Sequence, residues 1–391
     1  MTGQSTGERR PIVDLTDEQA RRAMVLKWGL APEDVIPAWV AEMDYALDPV
    51  VHAAVREALD AGVTGYPVFG PGDGLGEAYA KWSQRHFGWA PEADAVQPVS
   101  DVTAGMRVAI DVLSERAPVI FPTPGYNAQF GLATITGREE WQLPIDVDAP
   151  RAELDLDRLD DLLGKGARTL ILTQPHNPWG RVFTRAELEA IRDVVLRHGA
   201  RVVSDEIHAP LVLPGAEHVP YLSVEGTHDH AVAVVAASKA FNVAGLRCAQ
   251  IVVPDRGSWD RIQAQPMSRN DSWSPLGVIA ARTAYEHGDP WLESLIERLD
   301  AQRTLLTDLL AEHLPLVRMR PLEATYLAWL DVRAYGHDDP SALAMERGRV
   351  WVGQGRDYAP DLGGHVRLNI ATSPQRLEEI VRRLARAWAA A

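Results

Sequence analysis

The sequence contains few of the features that mark a disulfide-rich, membrane-bound or nucleic-acid-binding protein. It has one cysteine among 391 residues, so no disulfide bond can form within the chain. No apolar run approaches the roughly 20 residues that span a membrane, and residues 1–10 are polar and lack the apolar core of a signal peptide. The 39 basic residues are outnumbered by 54 acidic ones, and the net charge of −15 argues against nucleic-acid or anionic-membrane partners. We therefore expect a soluble protein located in the cytoplasm.

A metal site is not expected either. No pair among the 12 histidines has helical ligand spacing with carboxylates or cysteines nearby, and the cysteine, Cys248, is expected to be a buried structural thiol. The remaining composition, with 46% hydrophobic and 24% charged residues, is typical of a globular protein. A chain of this length buries a large core and is expected to hold more than one lobe.

The order of predicted elements indicates an α/β fold. From about residue 98 to 255, short apolar strands alternate with amphipathic helices, which favours a mainly parallel sheet with helices on both faces. After about residue 283 a long helix is followed by short strands and a closing helix that begins at Ser373-Pro374. We expect a large domain at 46–282 and a smaller α+β domain at 283–391, which an N-terminal arm at 1–45 joins.

Lys239 is the most informative residue of the chain. It follows the apolar segment 231–237, which is predicted to be a buried strand. Burial disfavours the charged form of a lysine and lowers its pKa, and the neutral amine is the nucleophile that forms a Schiff base. Ser238 and Arg247 near it are suited to binding a phosphate. Together they suggest pyridoxal 5′-phosphate (PLP), held by its aldehyde and its phosphate; the alternative is a surface lysine at the end of a strand.

Two polar residues follow predicted strands further upstream. Asp205 ends a short strand, and a carboxylate there is suited to the pyridine nitrogen of PLP, where it keeps the ring protonated as an electron acceptor. Asn177 lies in a loop with two prolines and a glycine after the strand 169–173, where it can contact the 3′-oxygen of the cofactor. The alternatives are a helix cap for Asp205 and simple turn formation for Asn177.

Seven segments, in this order along the chain, resemble those of fold-type I PLP-dependent enzymes of the aspartate-aminotransferase superfamily. Within that superfamily the chain most resembles the cystathionine β-lyase group typified by the MalY and PatB proteins. The resemblance to this group depends on the tryptophan-to-tyrosine segment, on Asp-Glu-Ile-His and on the Phe-Asn pair after the lysine. The seven segments are residues 39–45, 65–67, 122–126, 175–178, 204–208, 238–242 and 367–369.

The resemblance implies further contacts with the cofactor. Tyr126 would stack on the pyridine ring and belong to the catalytic group. Val102 and Thr103 would begin a helix whose backbone N–H groups hold the phosphate, as helix N-termini favour. His208 would lie near the cofactor. Without the resemblance, Tyr126 would be an ordinary core or surface aromatic.

The resemblance also implies how the substrate binds and how two chains assemble. Arg367 would clamp the α-carboxylate of an amino-acid substrate with two parallel hydrogen bonds, and Val40, Ala41 and Trp179 would contact the substrate. Tyr66 would reach the phosphate of the cofactor in the neighbouring subunit. The active unit is therefore expected to be a homodimer.

The chain departs from the group at several positions. Asp101 stands in the first phosphate loop, where relatives usually have glycine, and an acidic side chain there would repel phosphate unless it points away. Trp179 replaces a small residue, Arg247 is present although several lyases of the group lack it, and residues 355–360 replace a glycine-aromatic-glycine run. These differences leave the substrate open.

The leading hypothesis is a carbon–sulfur β-lyase that converts cysteine S-conjugates to a thiol, pyruvate and ammonia. Lys239 would remove the Cα proton and protonate the departing thiolate. The second hypothesis is a different PLP reaction, either transamination or decarboxylating deamination of a cysteine conjugate in specialised metabolism. The third is a binding or regulatory protein with an inactive site. The complete set of Tyr126, Asn177, Asp205, Lys239 and Arg367 argues against the third.

Overall fold

Two sheets organise the chain in a computed structural model that describes residues 8–69 and 72–389. Residues 1–7 of the predicted N-terminal arm lie outside the described residues. In chain order the strands are β1 (Ile36–Ala38), β2 (Val96–Val99), β3 (Val119–Thr123), β4 (Glu140–Pro144), β5 (Thr169–Thr173), β6 (Arg201–Asp205), β7 (Ala231–Val235), β8 (Ala249–Val252), β9 (Arg318–Met319), β10 (Leu327–Asp331), β11 (Val350–Gln354) and β12 (His365–Asn369).

Helices cover both sheets and connect most of the strands. They are α1 (Asp17–Ala23), α2 (Pro49–Asp60), α3 (Leu75–Phe87), α4 (Val102–Val108), α5 (Asn127–Ile135), α6 (Leu156–Gly164), α7 (Arg185–Arg197), α8 (Arg256–Gln263), α9 (Pro275–His287), α10 (Asp289–His313), α11 (Pro340–Leu343) and α12 (Pro374–Trp388).

The large sheet has seven strands in the order β2-β8-β7-β6-β5-β3-β4. The five strands β3 to β7 pair in parallel, and β8 pairs antiparallel with both β7 and β2. This arrangement confirms the predicted mainly parallel sheet. The parallel strands end at one edge, which is where ligands bind in open α/β sheets.

Side chains of the central strands alternate between two hydrophobic cores. In β5, Leu170 and Leu172 pack into one core and Ile171 into the other. In β7, Ala233 belongs to the first core and Val234 to the second. Because both faces of the sheet are buried, these strands have apolar residues at successive positions rather than an alternation of apolar and polar residues.

Local capping chemistry begins several helices where the sequence predicts. Thr184 and Glu187 form a reciprocal capping box at the start of α7. The side chains of Asp48 and Ser373 accept backbone N–H groups at the starts of α2 and α12, each with proline in the first helical turn. The predicted beginning of α12 at Ser373 is therefore confirmed.

The small sheet has the order β1-β11-β12-β10-β9 and contains the strand of the N-terminal arm. β1 pairs in parallel with β11 over three residues. The arm therefore contributes a strand to the C-terminal sheet. The domain boundary predicted between residues 282 and 283 falls inside α9, and the division into domains stays a prediction.

Helices long and apolar enough to cross a membrane are absent from residues 8–69 and 72–389. The cytoplasmic location stays a prediction.

Candidate active site

A cavity of about 300 Å³ lies at the carboxyl ends of the parallel strands, against the small sheet. It gathers most of the residues that the sequence singles out from positions far apart in the chain. The predicted residues on its wall are Val40, Ala41, Val102, Thr103, Tyr126, Asn177, Asp205, His208, Ser238, Lys239, Arg247 and Arg367.

Lys239 reaches this cavity from the turn after β7. Its Nζ donates a hydrogen bond to the carbonyl of Ala41 at 3.0 Å. Removal from water and, to a smaller extent, the positive charge of Arg367 lower the pKa of Lys239 to about 8, although Glu42 and Asp205 act in the opposite direction. A substantial fraction of the amine is therefore neutral near pH 8, as a nucleophile or base requires.

Asp205 is buried at the end of β6. Its Oδ2 accepts a hydrogen bond from the Gln129 side chain at 2.7 Å, and its Oδ1 accepts the backbone N–H of Ile207 at 3.2 Å. Burial raises the pKa of Asp205 to about 6 despite these bonds. Both bonding partners are neutral, so a cationic N–H group in the cavity would find a carboxylate already oriented by the protein.

Arg367 projects from β12 and is buried on the opposite wall. Its Nη1 donates to Asn177 Oδ1 at 3.1 Å and its Nη2 donates to the Trp39 carbonyl at 2.8 Å. The guanidinium carbon lies 4.9 Å from the centre of the Tyr358 ring. The buried Nε has no hydrogen-bond partner among the described residues. A guanidinium fixed in this way, with a free donor, is suited to a carboxylate ligand.

Residues 40 and 41 line the cavity, and side chains donate hydrogen bonds to every carbonyl of the segment 39–43. The amide of Asn369 donates to the carbonyls of residues 40 and 42, both at 2.7 Å. Asn242 accepts the N–H of residue 43 and donates to its carbonyl. The hydroxyl of Tyr326 shares the Ala41 carbonyl with the lysine, at 3.1 Å. Because these bonds fix the backbone, residues 40 and 41 keep a defined position on the wall.

His208 is a neutral group on the same wall. Burial and, to a smaller extent, the positive charges of Lys239 and Arg367 lower its pKa to about 3. Its Nδ1 is buried and has no hydrogen-bond partner among the described residues. Its ring meets Tyr326 edge to face, with ring centres 6.5 Å apart. The imidazole therefore acts as a neutral hydrogen-bonding group rather than as a cation.

The amino end of α4 closes another side of the cavity. Gly105 allows α4 to pack closely on β7, because a Cβ atom there would lie 2.8 Å from Cγ1 of Val234. Val102 and Thr103, at the start of this helix, line the cavity. Ser238 and Arg247 line it beside them, so the groups predicted to hold a phosphate lie together.

Of the three aromatic residues predicted to belong to the site, one lines the cavity of its own chain and two do not. Tyr126 lines the cavity, and burial raises its pKa. Trp179 lies outside the cavity wall, packed against Trp329 and beneath the guanidinium of Arg320 at 4.1 Å. Tyr66 is 93% exposed and does not line the cavity of its own chain. The roles of Trp179 in substrate binding and of Tyr66 across a dimer interface stay predictions.

Sequence reasoning missed several residues that support the site. Gln129 is three residues after Tyr126 in the first turn of α5, so helical spacing offered a signal for it. Tyr358 and Tyr326 offered none, because their contacts join segments distant in sequence. No group of three or more metal-ligating side chains suited to a metal ion occurs in the described ranges 8–69 and 72–389.

The chain belongs to the aminotransferase class I and II family, whose model matches residues 38–384. It is 34% identical to the cystathionine β-lyase of Corynebacterium glutamicum, over 94% of this chain and 98% of that protein. It is 32% identical to the cystathionine β-lyase PatB of Bacillus subtilis, over 92% of this chain and 95% of that protein. A solved structure of a candidate PLP-dependent β-cystathionase from Corynebacterium diphtheriae has a TM-score of 0.92 and 32% identity, covering 97% of this chain and 99% of that one. The predicted family and fold class are confirmed.

The cavity fits PLP on chemical grounds. Asp205 is a buried carboxylate with only neutral partners, and a protonated pyridine nitrogen would supply its missing counter-charge. Lys239 supplies a partly neutral amine for the aldehyde. His208 and Arg367 line the same cavity, and each has a buried nitrogen without a hydrogen-bond partner among the described residues. The family membership and the PLP-dependent relative support this cofactor.

Proposed function

We propose that this protein is a PLP-dependent carbon–sulfur β-lyase that cleaves cysteine S-conjugates, such as cystathionine, to a thiol, pyruvate and ammonia. The observation that carries the proposal is the meeting of Lys239, Asp205 and Arg367 in one cavity, where burial lowers the pKa of the lysine to about 8 and places the carboxyl of Asp205 among neutral hydrogen-bond partners. The similarity to two cystathionine β-lyases over nearly the whole chain supports this choice of reaction.

PLP would be held at each of its functional groups by a different part of the cavity. Asp205 would bind the pyridine nitrogen, Asn177 the 3′-oxygen and Tyr126 the ring face. Ser238 and Arg247, with the amino end of α4, would bind the phosphate. When bound at Lys239, the cofactor supplies an electron sink for the pair released at Cα.

Arg367 would bind the substrate, and Lys239 would transfer protons to and from it. Arg367 binds the α-carboxylate and thereby sets which Cα bond faces the lysine. The neutral Lys239 amine removes the Cα proton. The electron pair left at Cα would form a double bond to Cβ as the Cβ–S bond breaks. The electron pair of the broken bond would leave with sulfur, and Lys239 would return a proton to the thiolate. Water would then hydrolyse the released enamine to pyruvate and ammonia. Asp205 would keep the pyridine nitrogen of bound PLP protonated, because a nearby negative charge favours the protonated nitrogen.

The active unit would be a homodimer in which each Tyr66 completes the site of the other subunit. The side chain is 93% exposed in the single chain, and neighbouring exposed apolar side chains are typical of an interaction surface. Val68 and Phe69 beside it are also exposed. Co-expression of Tyr66→Phe with Lys239→Ala chains tests this arrangement. One intact site per mixed dimer should restore activity if the tyrosine acts across the interface.

Turnover of a panel of S-substituted cysteines tests the reaction. The purified protein loaded with PLP should release pyruvate and the free thiol, and the relative rates rank the substituents. Lys239→Ala should lose both the visible absorbance of the bound cofactor and turnover. A sulfur-retaining keto acid would indicate transamination, and a decarboxylated sulfur-retaining product would indicate decarboxylating deamination. Either result without pyruvate would overturn the proposal.

A further inference from the structure

An acidic side chain stands among the groups that would bind the cofactor phosphate. Asp101 lines the cavity, and its carboxylate contacts Arg247, which lines the same cavity. Its Oδ1 caps α4 by accepting the N–H of Ala104 at 2.7 Å. Its Oδ2 forms an ion pair with Arg247. One carboxylate thus occupies both a helix N–H group and the guanidinium that a phosphate would use.

Arg247 is held in this position by its backbone. Its φ of +56° lies in the left-handed region, which arginine rarely adopts. Its carbonyl accepts the N–H of Ser274 at 3.0 Å. Gly277 on α9 packs so closely on the Leu246 carbonyl that no side chain would fit there. The turn is therefore fixed against α9, and the guanidinium projects beside Asp101 with little freedom to move away through the backbone.

We propose that Asp101 sets the affinity of this protein for PLP by opposing the phosphate. In the cofactor-free protein it neutralises Arg247, and in the bound state its negative charge stays beside the phosphate dianion. The inference rests on the proposed function, because it assumes that PLP occupies this cavity. Its consequence is a cofactor bound more weakly than the same cavity would bind it without the carboxylate.

Asparagine at position 101 separates the charge of the residue from its capping role. Asparagine caps helices as well as aspartate does, so α4 should keep its start. The charge is lost, and Arg247 becomes free to bind phosphate. Because the two side chains are partly exposed, we expect a modest effect, a roughly tenfold lower dissociation constant for PLP at low salt.

The test measures binding rather than turnover. Cofactor-free wild-type and Asp101→Asn proteins are titrated with PLP and followed by visible absorbance and tryptophan fluorescence. Pyridoxal, which lacks the phosphate, is the matched ligand. Asp155→Asn, which changes the cap of the distant helix α6, is the matched variant. Only the combination of Asp101→Asn with PLP should bind more tightly, and the difference should shrink at high salt.

The alternative outcomes separate this inference from the proposed function. Wild-type protein that binds PLP normally while Asp101→Asn binds it with equal or lower affinity would overturn the role of Asp101 alone. An equal gain for pyridoxal would do the same, because the effect would not act through the phosphate. Wild-type protein without the visible absorbance of bound PLP would overturn the proposed function as well.

Discussion

Replacing Asp205 by asparagine should stabilise the cofactor-free protein. Burial raises the pKa of this carboxyl from 3.8 to about 6 in the folded chain. The folded state therefore holds the proton more tightly than the unfolded state does. Above the folded pKa the ionised carboxylate costs stability, because its desolvation is not repaid by the neutral groups around it. Asparagine carries no charge and avoids this cost. Its oxygen can accept the N–H of Ile207, and rotation of the Gln129 amide by half a turn lets the Gln129 oxygen accept from the new NH2 group.

The magnitude follows from the two pKa values of Asp205. No penalty exists below pH 3.8, where the carboxyl is protonated in both states. The penalty grows as the pH rises, to about 1.5 kcal/mol at pH 5 and about 3 kcal/mol at pH 8, at 1.36 kcal/mol per pKa unit. The advantage of the variant should therefore increase with pH and level off above about pH 7.

Urea unfolding of the cofactor-free proteins at pH 5 and pH 8 measures this difference. Asp60→Asn is the control, since the exposed Asp60 side chain should change stability by no more than about 0.5 kcal/mol at either pH. Added PLP should stabilise the wild-type protein more than it stabilises Asp205→Asn, because the variant has lost the partner of the pyridine nitrogen. A variant that is equally or less stable at pH 8, or a difference independent of pH, would refute the reasoning.

Three further predictions concern the other walls of the cavity. In the cofactor-free protein, the modification of Lys239 by an amine reagent, measured by mass spectrometry as a function of pH, should be half-maximal near pH 8. A midpoint near pH 10.5 would contradict the lowered pKa of Lys239. Arg367→Lys should raise KM for the amino-acid substrate by roughly tenfold or more, because lysine cannot make two parallel hydrogen bonds; unchanged steady-state kinetics would exclude the carboxylate role. Tyr358→Leu should raise KM by about two- to fivefold through loss of the ring beside the guanidinium, while Tyr358→Phe should not, and equal kinetics of the two variants would show that the ring is not needed.

Local sequence patterns were sufficient for much of the fold. The apolar segment that contains β7 and the strand β5 could be predicted because strands buried on both faces need uninterrupted apolar residues. The start of α7 could be predicted because its capping box is a local exchange of hydrogen bonds. The boundary at residue 282 fell inside α9, since the change in composition that suggested it comes after the helix has begun.

The residues that support the site were harder to predict for a physical reason. The bond from Lys239 to Ala41 spans 198 positions in sequence, and the pair between Asn242 and Met43 spans 199. Such contacts depend on how the small sheet closes over the large one, and no local pattern records them. For Asp101, the sequence showed an acidic residue in the phosphate loop, but its ion pair with Arg247 could be known only from the three-dimensional structure.

The central claim is that this protein breaks the Cβ–S bond of a cysteine conjugate. The most direct measurement is a mass balance for L-cystathionine incubated with the PLP-loaded protein without an added keto acid. The account predicts pyruvate, ammonia and homocysteine in equal amounts over many turnovers. A single turnover that ends with a sulfur-containing keto acid, or release of carbon dioxide with the C–S bond intact, would contradict it.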